Sequence, residues 1–147
     1  MNEKYETIVV GTDGSKSSLL AVTRAAKIAA AFDAKLIIGC AYYESEEEAS
    51  KTLRQDSVTI LGDSTAQKNL ASASEAAREA GATNVETAVR PGTPVEALMA
   101  IVNSNDADLL VVGNRGINSL TGRLLGSVPA DVARQSDCDV MIVHTVS

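Results

Sequence analysis

Residues Val111 to Val128 read VVGNRGINSLTGRLLGSV, which joins the end of an apolar run to a glycine loop and a new periodic segment. The run Leu109 to Val112 has no polar interruption, as is typical of a strand buried on both faces of a sheet. Gly113 and Gly116 follow at once, and residues without a Cβ allow positive φ angles and let backbone N–H groups approach a ligand closely. The stretch therefore predicts a strand-loop-helix unit of an α/β fold.

The far end of this loop favours a phosphate site. Gly126 and Ser127 precede a segment that we interpret as the last helix, Val128 to Gln135. A helix N-terminus offers unpaired N–H donors and a partial positive charge, which suit a phosphate group. A plain turn is the alternative, but strand-to-helix loops usually have about 2–6 residues and longer ones are more often functional. Neither G-x-x-x-x-G-K-S/T nor G-x-G-x-x-G occurs, so any nucleotide is held by a different loop.

Length and composition favour one domain over residues 1–147. Hydrophobic residues make up 45% of the 147 residues and aromatic residues only 3%, so the core must consist of Val, Ile, Leu and Ala, as in a parallel sheet. The formal net charge of −6, with no block of Lys and Arg, argues against nucleic acid or an anionic membrane as a partner. With no signal peptide or membrane-spanning stretch, we expect a protein of the reducing cytoplasm.

The cysteines and the single histidine carry little chemistry by themselves. Cys40 and Cys138 lie in or beside apolar runs, where a thiol usually packs as a small hydrophobic side chain, and we expect no disulfide. His144 also lies in an apolar run, near the C-terminus. One histidine supports neither a His-rich metal site nor a His-based triad, so we interpret it as an ordinary strand residue.

Strand-like and helix-like segments alternate in the first half of the chain. Residues 5–10 predict a first strand, and Gly11-Thr12-Asp13-Gly14-Ser15 follows as a second glycine loop. Ser15 is the expected N-cap of a helix that extends to about Phe32. Asp13 either faces a ligand or accepts a hydrogen bond from its own turn. Residues 35–41 predict the second strand, in which Gly39 either bends the strand or permits a close approach.

The second half continues the alternation. An acidic segment over residues 42–63 is expected to be a solvated loop, and residues 64–80 are expected to be helical. Residues 84–89 alternate in polarity as a third strand. Thr93-Pro94-Val95-Glu96 has the pattern of a capping box at the start of a helix that ends by Asn105, with Leu98, Met99 and Val102 directed inward. Leu109 to Val112 is the fourth strand and Asp139 to Val143 the fifth.

This order predicts a doubly wound five-stranded parallel sheet with helices on both faces. In such sheets ligands bind at the carboxyl ends of the strands, where the strand order reverses. Because the two glycine loops follow strands one and four, we expect these strands to be neighbours, and the order 3-2-1-4-5 makes them so.

The spacing Gly113-x2-Gly116-x9-Gly126-Ser127, together with Gly11-Thr12-Asp13-Gly14-Ser15 after the first strand, resembles the universal stress protein family over essentially the whole chain. The resemblance implies a cytoplasmic protein that binds an adenine nucleotide, often ATP, and acts in stress tolerance without a well-defined catalytic reaction. It implies that Asp13, next to Gly11 and Thr12, lies at the adenosine and metal end of the site, where Mg²⁺ could bind with the nucleotide. Ala41 matches the position whose backbone faces adenine. The positions that match the ribose and phosphate loop are Gly113, Arg115, Gly116, Gly126, Ser127 and Val128.

We predict nucleotide binding with little or no turnover, because no general base is evident near the phosphate loop and the lone histidine lies far along the chain. One alternative is slow ATP hydrolysis or phosphoryl transfer with Asp13 and Mg²⁺, and another is a dimeric interaction module without nucleotide. Arg115 has the alternative of a solvated surface arginine. A homodimer through the edge strand Asp139–Val143 is expected, since exposed edges need cover and relatives commonly pair there.

Pro129 departs from the family pattern. Nucleotide-binding members generally continue Gly-Ser-Val with Ser or Thr, whereas proline has neither a hydroxyl nor an N–H group. Hydrogen bonds to charged groups contribute about 1.5–3 kcal/mol, so the affinity for a triphosphate could fall by about tenfold or more. We therefore hypothesise that AMP or cyclic AMP (cAMP) binds at least as well as ATP.

Overall fold

The structure is a computed structural model that describes residues 4–42, 63–114 and 132–145. Its strands are β1 (Thr7–Gly11), β2 (Lys35–Tyr42), β3 (Asn84–Pro91), β4 (Leu109–Gly113) and β5 (Asp139–Val143). Its helices are α1 (Lys16–Phe32), α2 (Asp63–Glu79) and α3 (Pro94–Asn105), and residues 132–135 are also helical.

The strands form one parallel sheet in the order β3-β2-β1-β4-β5, which confirms the predicted order. β1 lies at the point where the order reverses, with β2 on one side and β4 on the other. The ladder between β1 and β4 ends at Val10 and Val111, whereas the ladder between β1 and β2 continues to Gly11 and Gly39. The strands on either side of the reversal therefore separate at their carboxyl ends, which is where such folds bind ligands.

Helices cover both faces of the sheet, which explains why the buried positions of the central strands are apolar on both faces. α1 and α2 pack on one face, over side chains such as Ile8 and Leu36. α3 packs on the other face, over side chains such as Val9 and Leu110. The predicted alternation of β3 is present too, because Val85 and Val89 pack on the first face and Ala88 on the second.

Both predicted N-caps are present. The Ser15 hydroxyl accepts a hydrogen bond from the Ser18 N–H at 3.1 Å, and α1 extends to Phe32 as expected. At α3 the Thr93 hydroxyl accepts from the Glu96 N–H at 3.1 Å, and Glu96 Oε1 accepts from the Thr93 N–H at 3.3 Å. These bonds satisfy N–H groups that a helix start would otherwise leave unpaired.

Gly39 permits a close approach rather than a bend. A Cβ on Gly39 would lie 2.7 Å from Cδ1 of Ile101, a fully buried residue of α3. On β1, a Cβ on Gly11 would lie 3.1 Å from the Leu98 side chain. The two glycines let α3 come close to the sheet directly below the carboxyl ends of β1 and β2. The inward orientation of Leu98 and Val102 is as predicted, and Met99 is half-buried against the same cluster.

Some sequence predictions need a boundary correction or cannot be compared. Tyr42 is the last residue of β2 and Asp63 the first of α2, so neither belongs to the predicted acidic loop. Residues 43–62, and the predicted start of the last helix at Val128, lie outside the described residues. In the three described ranges, no helix has the length and apolar character needed to cross a membrane.

Candidate functional site

The predicted site residues of β1 and β4 lie next to each other at the carboxyl edge of the sheet, where the two strands end. Gly11 is the last residue of β1 and Gly113 the last of β4. Ala41 lies in β2, on the far side of β1. The remaining predicted residues lie outside the described residues, and these are Arg115, Gly116, Gly126, Ser127 and Val128.

Hydroxyl groups fix the loop between β1 and α1. The buried Thr12 donates its N–H to the Gly39 carbonyl at 2.9 Å, which prolongs the pairing of β1 with β2. Its hydroxyl accepts from the Gly14 N–H at 3.2 Å and lies 2.9 Å from the Ser18 hydroxyl. Because Ser18 donates its own proton to the Ser15 carbonyl, Thr12 is the donor between these two hydroxyls. The Thr12 side chain is therefore engaged within the loop.

Asp13 has one carboxylate oxygen fixed by a hydrogen bond and one that has no partner among the residues that the structure describes. Its Oδ1 accepts from the Ser15 N–H at 2.9 Å, so the local turn that we considered as an alternative is present. Within the described part of the chain, Oδ2 has no hydrogen-bond partner, and the side chain is half-buried. This oxygen suits a ribose hydroxyl, or Mg²⁺ bound together with phosphate oxygens, since Mg²⁺ usually takes one or two carboxylates in such sites. No group of three His, Cys, Asp or Glu side chains that could hold a metal ion by itself occurs in the three described ranges.

The backbone of Ala41 is directed toward the space beyond β1. In a parallel sheet, successive residues of a strand direct their N–H and C=O groups to opposite neighbours. The Gly39 carbonyl accepts from Thr12 on the β1 side, and the Tyr42 carbonyl accepts from the Gly92 N–H on the other. Ala41, two residues after Gly39, therefore directs its N–H and C=O past the end of β1, where a planar base could bind them.

Asn69 brings α2 to the same edge. A Cβ on Gly14 would lie 2.6 Å from Asn69 Oδ1, so this side chain packs directly on the loop that carries Asp13. Asn69 also forms a hydrogen bond with the Cys40 thiol. The pKa of Cys40 is raised to about 11, chiefly by burial; the Asn69 hydrogen bond opposes the rise, and the negative charge of Asp13 adds to it. The sequence analysis missed Asn69, because nothing distinguishes it from the other polar residues of an alanine-rich helix.

The two cysteines are free, as expected. Cys40 packs on the face that α1 and α2 cover, whereas Cys138 packs against the cluster under α3. The sheet therefore separates the two thiols.

Asn114, immediately after β4, is a second residue that the sequence analysis did not single out. Its N–H donates to the Val143 carbonyl at 2.9 Å. Its side-chain Oδ1 accepts from the N–H of Thr145 at 3.0 Å and from the hydroxyl of Thr145 at 2.9 Å. Its Nδ2 lies 3.2 Å from Nδ1 of His144. Asn114 and Thr145 are both buried, so this polar network belongs to the interior of the edge.

Our interpretation of His144 as an ordinary strand residue was wrong. His144 is exposed, follows the end of β5 and contacts Asn114, one residue beyond Gly113. Parallel pairing of β4 with β5 causes this, because it brings residues 30 positions apart to the same edge. Since an amide nitrogen can only donate, Nδ1 accepts and the ring proton lies on Nε2. In this tautomer neither ring nitrogen has a free lone pair for use as a general base.

Gly113 serves packing rather than an unusual backbone conformation. Its φ angle is not positive, so the positive φ angle that a glycine allows is not used at this position. A Cβ at this position would lie 3.2 Å from Cγ2 of Thr145 and 3.6 Å from the Ser17 hydroxyl. Gly113 therefore allows the end of β5 and the first turn of α1 to meet at the end of β4.

Comparison with known proteins identifies the family to which the chain belongs. Residues 4–144 match the model of the universal stress protein family. The chain belongs to the universal stress protein family. The universal stress protein Rv1636 of Mycobacterium tuberculosis is 51% identical over 143 residues, which cover 96% of this chain and 97% of that protein. The resemblance inferred from the two glycine loops is therefore confirmed.

Solved universal stress proteins share the fold. A crystal structure of a universal stress protein in complex with cAMP is 47% identical, with a TM-score of 0.76 over 98% of this chain and 100% of that one. The universal stress protein UspA of Lactobacillus plantarum has a TM-score of 0.75 over 97% of this chain and 99% of its own, at 21% identity. This second likeness concerns the fold alone.

Proposed function

We propose that this universal stress protein binds an adenine nucleotide at the carboxyl edge of its sheet, between β1 and β4, with little or no turnover. The observation that carries the proposal is the relative solved in complex with cAMP, at 47% identity over 98% of this chain. The geometry of the edge supports it, because Asp13 offers a carboxylate oxygen with no partner among the described residues and Ala41 directs backbone groups into the gap beyond β1.

In the proposed arrangement each part of the nucleotide has its own set of groups. Adenine contacts the backbone of Ala41, and Asp13, beside Gly11 and Thr12, binds the ribose or a Mg²⁺ ion that accompanies the phosphates. Gly113 begins the loop that would hold the phosphates. The other residues assigned to that loop from the sequence are Arg115, Gly116, Gly126, Ser127 and Val128.

The absence of turnover is part of the proposal. His144, the single histidine of the chain, lies at this edge, and its Nδ1 accepts a hydrogen bond from the Asn114 amide. The rival function, slow Mg²⁺-dependent hydrolysis or phosphoryl transfer, would use Oδ2 of Asp13. Incubation with radiolabelled ATP and Mg²⁺ separates the two, because multiple turnovers that vanish in Asp13→Ala would contradict a protein that only binds. His144→Ala is the matched variant, and we expect it to leave product formation at the background level.

Nucleotide preference follows from Pro129. We propose that cAMP and AMP bind at least as well as ATP, since proline offers no donor to a terminal phosphate. Titration calorimetry with the three ligands tests binding and preference together. Pro129→Ser should raise the affinity for ATP about tenfold and leave that for cAMP unchanged. A wild-type protein that binds ATP far more tightly than cAMP, with no change of ranking in Pro129→Ser, would contradict the preference.

If no adenine compound raises the thermal midpoint, the interaction module is favoured, because a ligand of the native state must stabilise it.

We further propose a cytoplasmic homodimer that pairs through β5, without nucleic-acid or membrane partners. β5 is the last strand of the described sheet, and the Val143 carbonyl faces β4. By alternation, Val140 and Ile142 direct their backbone groups to the outer edge, where a second copy can pair with them. Light scattering at micromolar concentration should give the mass of a dimer, and a monomer would contradict this part of the proposal.

A further inference from the structure

At the end of β4, the side chain of Asn114 takes the place of its own backbone carbonyl as a hydrogen-bond acceptor. Gly113 pairs with Val143 in the ladder of β4 and β5, and the Asn114 N–H adds one bond to the Val143 carbonyl at 2.9 Å. In a ladder that continued, the next bond would run from the Thr145 N–H to the backbone carbonyl of Asn114. That N–H instead donates to Oδ1 of the Asn114 side chain at 3.0 Å.

Both the oxygen and the nitrogen of the Asn114 side-chain amide form hydrogen bonds. Since a backbone N–H can only donate, the atom that faces Thr145 is the amide oxygen, and it also accepts the Thr145 hydroxyl proton at 2.9 Å. The other end is therefore Nδ2, which donates to His144 Nδ1 at 3.2 Å. Asn114 is only 7% exposed, so an apolar replacement would leave the N–H and the hydroxyl of Thr145 buried without an acceptor.

The same network extends to α1. Because the Thr145 hydroxyl gives its proton to Asn114, the Ser17 hydroxyl is the donor in the short contact between Ser17 and Thr145. Ser17 lies in the first turn of α1, directly after the loop that carries Asp13. Asn114 thus connects the end of β4 to the end of the edge strand and to the helix that begins on the other side of the proposed site.

We propose that Asn114 is a positioning residue of the nucleotide site: its side-chain amide replaces its own backbone carbonyl in the ladder. The backbone can then turn out of the sheet directly after Gly113, while the end of β5 stays attached to β4. For its effect on nucleotide affinity this inference rests on the proposed function. Its effect on the pairing of Thr145 does not depend on any ligand.

The opposite end of β4 provides a matched control. Asp108 precedes β4, and its Oδ2 accepts from the N–H groups of Glu6 and Thr7, both at 2.9 Å. Like Asn114, it uses one side-chain oxygen to satisfy two donors of a neighbouring segment. It does so at the amino end of the sheet, so Asp108→Ala removes a comparable cap without touching the proposed site.

The test measures amide exchange of Thr145 by NMR and cAMP affinity by calorimetry in parallel. In Asn114→Ala, we expect Thr145 exchange to be about tenfold faster than the loss of global stability alone accounts for, because its N–H loses its acceptor, and cAMP affinity to fall about tenfold. Asn114→Asp keeps an acceptor for Thr145 and should restore both values to within about threefold of wild type, since His144 can move its proton to Nδ1 and donate. Asp108→Ala should lower global stability and change neither value.

Three outcomes would overturn the inference. One is unchanged Thr145 exchange and cAMP affinity in Asn114→Ala, and another is a loss in Asp108→Ala as large as that in Asn114→Ala. The third is an Asn114→Asp variant that stays as defective as Asn114→Ala.

If Asn114→Ala does not fold, Thr145→Val takes its place, because it removes only the hydroxyl bonds to Asn114 and Ser17 and should lower the affinity for cAMP about threefold. If the wild-type protein binds no adenine nucleotide, the proposed function fails, and Thr145 exchange alone decides the inference.

Discussion

The two ends of the sheet use their polar groups in opposite ways. At the amino end, side chains close the strands onto one another: Asp108 binds the start of β1, and the Tyr5 hydroxyl donates to Asp139 Oδ2 at 2.9 Å. At the carboxyl end, β1 and β4 separate, and Asp13 keeps an oxygen without a partner among the described residues. The contrast indicates that polar groups at one end serve the fold, while some of those at the other remain available to a ligand.

The largest expected effect concerns the two thiols, one toward each end. Cys40, near the carboxyl end of β2, is 2% exposed and burial raises its pKa to about 11, whereas Cys138, before β5, is partly exposed. Two pKa units correspond to about 100-fold less thiolate, the form that reacts with maleimide. At pH 8 we expect Cys138 to be modified at least about 100-fold faster than Cys40, measured by mass spectrometry on Cys40→Ser and Cys138→Ser. Similar modification rates would mean that solvent and reagent reach the Cys40 thiol at the carboxyl edge.

The same thiol predicts a pH dependence of stability. The pKa of Cys40 is raised from a usual value of 9.0 to about 11 in the folded state, so the folded protein holds this proton more tightly than the unfolded chain. The stabilisation of the folded state by the protonated Cys40 thiol is complete below pH 9 and is lost as pH rises through 11. Denaturant titrations across this window should show a steeper loss of stability in wild type than in Cys40→Ala. Equal slopes would contradict the burial of this group.

The next effect tests the close contact of α3 below the carboxyl edge. Gly39→Ala places a methyl group 2.7 Å from Ile101 Cδ1 and should lower the free energy of unfolding by about 1–3 kcal/mol. Ile101→Val removes that Cδ1 atom, so the double variant should be less destabilised than the sum of the two single changes. Chemical denaturation of all four proteins measures the coupling. Strictly additive losses would show that the two residues do not compete for the same space.

A smaller effect separates structural hydroxyls at the carboxyl end from those near the ligand. Thr93 caps α3 after β3, and Thr93→Val should cost about 1 kcal/mol of stability. Because β2 and β1 lie between β3 and β4, the affinity for cAMP should stay at the wild-type value in calorimetry. A clear loss of cAMP affinity would extend the site beyond the region between β1 and β4.

The smallest effect is expected at the amino end. Tyr5→Phe removes the hydrogen bond to Asp139 but keeps the edge-to-face contact with Phe32, whose ring centroid lies 5.5 Å away. The exposed bond should contribute about 0.5 kcal/mol, detectable as a small shift of the denaturation midpoint with no change in cAMP affinity. A shift above about 2 kcal/mol would mean that this end depends on the tyrosine more than the geometry indicates.

Sequence reasoning reached the fold because its signals were local. The apolar runs, the cap at Ser15 and the capping box at Thr93 depend on neighbouring residues, and the positions of the glycine loops gave the strand order. The partners of Asn114 and His144 could not be read in the same way, because they follow from the register of two strands separated along the chain.

Glycine was a second source of error, since its missing Cβ has more than one use. Gly113 was predicted to allow a positive φ angle and a close approach of its N–H to a ligand. Its φ angle is not positive, and its missing Cβ makes room for Thr145 and Ser17. Gly11, predicted from the family resemblance to lie at the ligand, also faces Leu98 of α3. Only the positions of neighbouring helices distinguish these uses, and a single sequence does not contain them.

The measurement that tests the central claim most directly is the titration of uniformly ¹⁵N-labelled protein with cAMP, followed by amide chemical shifts. We predict the largest shifts at Asp13, Ala41 and Gly113, at the carboxyl edge, and almost none at Asp108 or Asp139 at the amino end. Shifts confined to the amino end or to the outer face of α2, or no shift at millimolar cAMP, would contradict the proposal that the carboxyl edge is the nucleotide site.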